Sequence, residues 1–254
     1  MSLLTVKLLS GILILVIGLV GGVIPIIVGR FQNSRRFFSL GNAFAGGIFL
    51  GAGLIHLLPD GAEHLRAISS YPLAGLLTTI SLAFLLLIDR VIFSHHDLEE
   101  HAGQKGSVYP YVLTIVLSVH SIIAGTSLGL ETHVSTSVVI LLAIVFHKGS
   151  AAFALMVSLH NAGVPDARKK RILAIFVTMT PLGLVFGTLA SALLRGNVAT
   201  LAEGAFDALA AGTFIYVAVL DIIEEELSGD EDKLAKFALI VIGLGSMGLL
   251  AVWT

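Results

Sequence analysis

Apolar runs of membrane-crossing length recur along the chain, each ended by a short polar turn. A bilayer core takes about 20 predominantly apolar residues per helix. Eight runs meet that requirement: roughly 3–28, 40–58, 72–92, 110–130, 137–160, 172–194, 203–223 and 235–253. Only one connection is long, the segment 93–109 between the third and fourth runs, which carries His95, His96 and His101. The pattern predicts an all-α polytopic membrane protein with eight transmembrane helices in a single domain over 1–254. The first run reads as a span rather than a leader peptide. It is longer than a leader's apolar core, and Arg30, Arg35 and Arg36 follow it.

Composition agrees. The chain is 56% hydrophobic and 13% charged, with a mean hydropathy of +0.97. Soluble domains average about 45–50% apolar and about 25% charged residues. There is no cysteine, which excludes disulfides, thiolate metal sites and thiol catalysis. A net charge of −2 gives no footprint for nucleic acid.

Lys and Arg sort between the two sides. Arg30, Arg35, Arg36, Arg90, Lys105, Arg168, Lys169, Lys170, Arg171, Lys233 and Lys236 fall on one side, and Lys7, Arg66 and Arg195 on the other. By the positive-inside rule both termini face outward, and the His-containing loop faces the cytoplasm. The expected location is a plasma or cytoplasmic membrane.

Two segments align without a gap. AGGIFLGAGLIHLLPD (45–60) lies over AAGTFIYVAVLDIIEE (210–225), setting Gly47 on Gly212, Phe49 on Phe214, His56 on Asp221 and Asp60 on Glu225. The second and seventh spans run in opposite directions, so this is an inverted-topology repeat, a mark of secondary transporters.

Polar residues interrupt the spans at informative depths. His120 lies ten residues from Pro110 and ten from Leu130, and His147 lies ten residues into the fifth span. The two are equidistant from the turn ETHVSTS, so antiparallel helices bring them to one depth near the midplane. Lys148 follows His147, and an intramembrane charge must face the bundle interior. Thr180 precedes Pro181, whose missing N–H frees a carbonyl. Two neutral imidazoles suit Zn²⁺, Fe²⁺, Cu²⁺ or Ni²⁺ and suit Ca²⁺ or Mg²⁺ poorly. Toward the outside, His56, Asp60 and His64 follow one another at i,i+4 spacing; toward the inside, Asp221 and Glu225 do the same. These pairs are expected as an outer and an inner stop for a metal ion. The alternative is that the histidines are interhelical hydrogen-bond partners and the outer carboxylates a solvated helix end.

HSIIAG (120–125), HKGSAA (147–152), MTPLG (179–183), AAGTFIY (210–216) and LLPD (57–60) resemble the ZIP (Zrt/Irt-like) metal transporters, in the branch with His-Lys in the fifth helix. The resemblance implies uptake of a divalent transition metal, Zn²⁺ or Fe²⁺, toward the cytosol, with no prosthetic group. It implies a 3+2+3 helix arrangement, frequently a homodimer, and elevator-like sliding of one helix group against the other. It makes His120 and His147 primary-site ligands and Ser121 part of an adjacent second site. Lys148 stands where other members carry a carboxylate, and Thr180 where some carry a glutamate. The lysine would act as a built-in cation, leaving room for one metal at the centre. Asp207 aligns with an acidic position of the family. Ala124 and Ala151 depart from the pattern, since a metal-binding glutamate is usual at the first and common at the second. Three functions follow for weighing: a metal carrier, a transport-impaired metal sensor or scaffold of the same fold, and a membrane-embedded metal-dependent hydrolase. The hydrolase lacks a His-Glu-x-x-His motif. A retinal protein is more remote, because Lys148 has no aromatic cage around it in sequence. No Walker motif points to an ATP-driven pump.

Overall fold

A computed structural model describes residues 2–31, 34–92, 109–190 and 197–252, and these are helical throughout apart from short turns. The histidines of the 93–109 loop lie outside the described residues.

The first span is α1 (Leu3–Val28). The second is longer than its apolar run suggests. It comprises α2 (Ser34–Gly51), a π-helical turn (Ala52–Leu57) and α3 (Leu58–Arg66) in unbroken succession. The helix thus continues past Pro59. A proline clashes with the carbonyl four residues earlier, and here that carbonyl, of Ile55, lies within the wider π turn. The third span is α4 (Leu73–Leu86), extended by a π turn (Leu87–Ile92). Then come α5 (Tyr109–Leu130), α6 (Val134–Asn161) and α7 (Asp166–Ala190). The seventh span repeats the construction of the second, with α8 (Asn197–Tyr216), a π turn (Val217–Ile223) and α9 (Glu224–Ser228). α10 (Lys233–Leu250) is the eighth. Seven of these rods are long and apolar enough to cross a membrane, and α4 is a shorter apolar helix. Their outer faces leave Leu8, Ile12, Ile115, Phe186 and Ile242 exposed, as lipid contact requires.

The helices pack in a reciprocal pattern. α1 lies along α6, and α5 along α7; α2 lies along α10, and α4 along α8. Contacts concentrate within two groups, α1/α5/α6/α7 and α2/α3/α4/α8/α9/α10, joined chiefly by α2 against α6 and by α5 against α8. Glycine sets these distances. A Cβ on Gly47 would collide with the Ile240 carbonyl of α10, and one on Gly212 with the Thr78 carbonyl of α4. The aligned glycines of the two repeats therefore make equivalent contacts. The two longer-rod π turns also fall on each other in the alignment, with His56 in one and Asp221 in the other. The aligned phenylalanines, Phe49 and Phe214, pack ring to ring at 5.0 Å.

Several charges near the ends of the spans are buried. Lys7 is 5% exposed and donates to the Gly129 carbonyl at the end of α5, at 2.5 Å. Cations at a helix C-terminus are stabilising there. At the opposite end of the bundle Glu226 is buried between α2, α9 and α10. It accepts from Ser39 Oγ and, at 3.3 Å, from Asn42 Nδ2, and its carboxylate lies 3.4 Å from Lys236 Nζ. Lys236 also donates to the Glu226 carbonyl at 2.8 Å.

Removing one member of a buried ion pair costs about 3–5 kcal/mol, because the other charge stays buried. Glu226→Ala is expected to lower the melting temperature of the detergent-solubilised protein well below wild type. Adding Lys236→Met should return much of the loss. Calorimetric or fluorescence melting of the two variants checks this.

Candidate metal centre

The three-residue turn Glu131–His133 joins α5 to α6 and makes them antiparallel neighbours. His120 on α5 and His147 on α6 then meet in the interior, 6% and 4% exposed. Their Nε2 atoms are 3.5 Å apart and their ring centroids 5.5 Å. Two nitrogens at about 2.05 Å from a tetrahedral Zn²⁺ stand roughly 3.4 Å apart. The spacing thus fits two ligands of one ion. Both Nδ1 atoms are buried without a hydrogen-bond partner. Phe214 of α8 closes one side of the pair, its ring centroid 4.4 Å from His120 and 5.7 Å from His147. This aromatic neighbour was visible in the sequence only as the repeat mate of Phe49.

Lys148 is 2% exposed and faces inward. Its Nζ donates to Ser121 Oγ at 2.9 Å and to the Phe176 carbonyl at 3.2 Å, and sits 3.7 Å from the centroid of the Phe176 ring. A cation held by two acceptors and an aromatic face is stabilised without a carboxylate. Ser121 is thereby occupied as an acceptor for the ammonium. Thr180 is 1% exposed, with Oγ1 lacking a hydrogen-bond partner. It belongs to the seam between α5 and α7, where its carbonyl abuts Gly125.

A cavity of about 440 Å³ runs from this pair to the α5–α6 turn and the α3 end of the bundle. His120, Ala124, Ser127 and His147 line its depth; His56, Asp60, His64, Glu131, Glu203 and Asp207 line the rest. The i,i+4 pair expected from sequence is formed, with His56 Nδ1 3.0 Å from Asp60 Oδ2. Asp207 is paired with His64, 3.7 Å from its Nδ1. Glu131 and Glu203 were not singled out by sequence, since an acidic residue beside a turn looks like any solvated loop charge.

The acidic residues expected as the inner stop are arranged differently. Asp221 is half-buried in its π turn and Glu225 is exposed, while the adjacent Glu226 is the buried carboxylate. Among the described residues, no three His, Asp or Glu side chains stand close enough together to hold one ion.

The sequence matches the family described as ZIP Zinc transporter over residues 4–108 and 94–251. It is 27% identical to zinc transporter ZIP2 of Mus musculus, over 99% of both chains. It is 27% identical to zinc transporter ZIP1 of Homo sapiens, over 98% of this chain and 91% of that one. Zinc transporter 5 of Oryza sativa subsp. japonica is 28% identical over 92% of this chain and 83% of its own. The match spans the bundle end to end, including the paired histidines and the lysine beside them, and this integral membrane protein belongs to the ZIP zinc transporter family.

Proposed function

We propose that the protein carries a divalent transition-metal ion, Zn²⁺ foremost, across the membrane toward the cytosol, with His120 and His147 as the central ligands. The carrying observation is the 3.5 Å approach of two buried Nε2 atoms at the foot of an open cavity. Two neutral imidazoles occupy two corners of a tetrahedron, and water completes the shell. Lys148 supplies a fixed cation beside the pair, which favours a single metal ion there.

The symmetry supports a midplane site. The inverted repeat implies a two-fold axis in the membrane plane, and symmetry mates touch only at such an axis. Phe49 and Phe214 are aligned mates in contact, and the His pair packs against Phe214. In this reading both termini face outward and the fold is 3+2+3, with α5 and α6 between the inverted triples. The group α1/α5/α6/α7 carries the ion by sliding against the other group, as an elevator.

An outward-open cavity with a closed inner end supports uptake as the first step of the cycle. On the inner side Phe153 of α6 sits in the notch of Gly41 on α2, where a Cβ would strike its ring. Phe37 packs on Phe153 at 6.0 Å and Phe38 on His160 at 5.1 Å. These contacts join the two helix groups and would part as the ion leaves inward.

The absence of a central carboxylate favours a second reading, a transport-impaired metal sensor of the same fold. Zinc uptake into proteoliposomes separates the two. The carrier reading expects uptake by wild type, and a loss of about tenfold or more on His120→Ala or His147→Ala with the fold intact. No uptake of any first-row divalent ion above empty liposomes would reject it. Ala124→Glu places a carboxylate one turn from His120. In a carrier with a weakened centre it is expected to lower KM about tenfold; unchanged uptake would remove the alanine as the cause of weak binding.

A further inference from the structure

The seal between the two helix groups at the inner end is built from rings, and one of them titrates. Phe37 and Phe38 of α2 face Phe153 and His160 of α6. His160 stands in the last turn of α6, half-buried, where four elements meet. Its ring lies against the Gly29 cap of α1, where a Cβ would come within 2.7 Å of Cε1. Its Nδ1 is 3.3 Å from Nζ of Lys169 on α7. Its ring centroid is 5.1 Å from that of Phe38, with the planes inclined at 69°. Gly29 and Lys169 belong to the same helix group as His160, and Phe38 belongs to the other. An ammonium only donates, so Nδ1 accepts and the imidazole is neutral in this arrangement. The nearby charges are Lys169 and Asp166 on α7, 2.9 Å apart, and Arg30 just beyond α1, 3.6 Å from Asp166. On α2, Arg35 lies one turn before Phe38 and is exposed, and Arg36 is engaged by Asp232 at 2.7 Å.

We propose that His160 is a proton-operated latch on the inner seal. Neutral, it accepts from Lys169 and packs on Phe38, so the two helix groups stay together. Histidine is the side chain that gains and loses its charge near neutral pH. A proton taken from the inner compartment onto Nδ1 ends the hydrogen bond from Lys169 and sets two cations side by side. Lys169 is 4% exposed and keeps Asp166 as its partner, so the imidazolium is the group that moves. The Gly29 backbone blocks one side of the ring. The contact with Phe38 crosses between the groups without a hydrogen bond, and it is the one that yields. Acid on the inner side thereby favours the arrangement in which the seal is parted and the ion can leave. The inference rests on the carrier reading, which requires this seal to open for release.

The chain has no cysteine, so a single introduced thiol reports access from one side. Ala154 is 4% exposed and lies two turns inward of His147 on the same face of α6. In vesicles that expose the inner face, the rate at which Ala154→Cys reacts with a membrane-impermeant maleimide is measured at about pH 7.5 and about pH 6. Each rate is divided by that of Ala154→Cys/His160→Gln at the same pH, which cancels the thiol's own titration. The ratio is expected to rise about fivefold or more on acidification. An unchanged ratio overturns the proposal, and so does a fall, which would mean that the imidazolium grips the Phe38 ring more tightly. Glutamine keeps an oxygen to accept from Lys169, and an unchanged melting temperature verifies the fold. Phe38→Leu in the Ala154→Cys background is a second reference: with the ring gone, labelling should be fast at both pH values, and slow labelling counts against the latch. In proteoliposomes held at about pH 7.5 outside, acidifying the interior to about pH 6 should speed zinc entry severalfold in wild type and leave His160→Gln unchanged; equal acceleration of both overturns the assignment to His160. Absence of zinc uptake by wild type would sink the carrier reading, while the thiol labelling still judges the latch by itself.

Discussion

The meeting of His120 and His147 depends on helix backbones touching one another inside hydrocarbon. Lipid tails are as apolar as leucine, so no hydrophobic drive pushes membrane helices together, and close packing must do it. The glycines of this chain are placed for that purpose. Gly125 and Gly129 of α5 abut the Thr180 and Leu184 carbonyls of α7, and Gly183 and Gly187 of α7 abut the Ile122 and Thr126 carbonyls of α5. Gly21 of α1 meets the Gly149 carbonyl of α6 in the same way. Each central histidine is thus on a helix whose depth is fixed by contact of main chain with main chain. A side chain larger than hydrogen at these positions would part the rods and with them the imidazoles.

That clamp also explains how the bundle tolerates Lys148. An intramembrane ammonium is costly unless its environment replaces water. Ser121 on α5 and the Phe176 carbonyl and ring on α7 meet it on both sides, and they reach it only because α5, α6 and α7 are held together. The amine is consequently a fixed part of the proposed carrying group. On the proposed path a divalent ion beside it would meet no carboxylate at 124 or 151, so its attraction would come from elsewhere in the cavity. This electrostatic imbalance is the main physical difference between this centre and one with helix glutamates.

Most of the fold was legible from hydropathy because a bilayer permits few solutions. Spanning segments must satisfy their own backbone, so apolar length converts almost directly into helices. Lengths were less legible. The second span begins at Ser34 and runs to Arg66, beyond the expected 40–58, because a π turn carries the helix through Pro59. The common depth of His120 and His147 followed from their equal distances to one turn, a purely one-dimensional property. Which acidic residue is buried at the inner end was not so readable. Asp221 and Glu225 share helical spacing, yet Glu226 is the residue facing Ser39, Asn42 and Lys236. Periodicity ranks faces within a helix, but partners on other spans choose among them. Asp207, tied by resemblance to the acidic positions of the family, is paired with His64. Such a pairing depends on how α8 docks on α3, which no local pattern encodes.

The two repeats are similar in sequence and helix construction but unlike in their surroundings, and this asymmetry bears on the proposed transport cycle. His56 and Asp221 occupy equivalent π turns. One looks into an open cavity and lies 3.0 Å from its carboxylate neighbour. On the other's side of the membrane, aromatic contacts at Gly41 hold the two helix groups together. If symmetry-related halves can each adopt the other's conformation, the closed end becomes an open one without any new fold. The contacts that must change are few and lie between the groups, where Phe153 meets Gly41 and Phe38 meets His160. The contacts that must persist lie within the groups, where glycine seams, the Lys148 cluster and the Glu226–Lys236 pair are found. Strong cohesion inside each group and a thin aromatic seal between them is the distribution a sliding carrier requires.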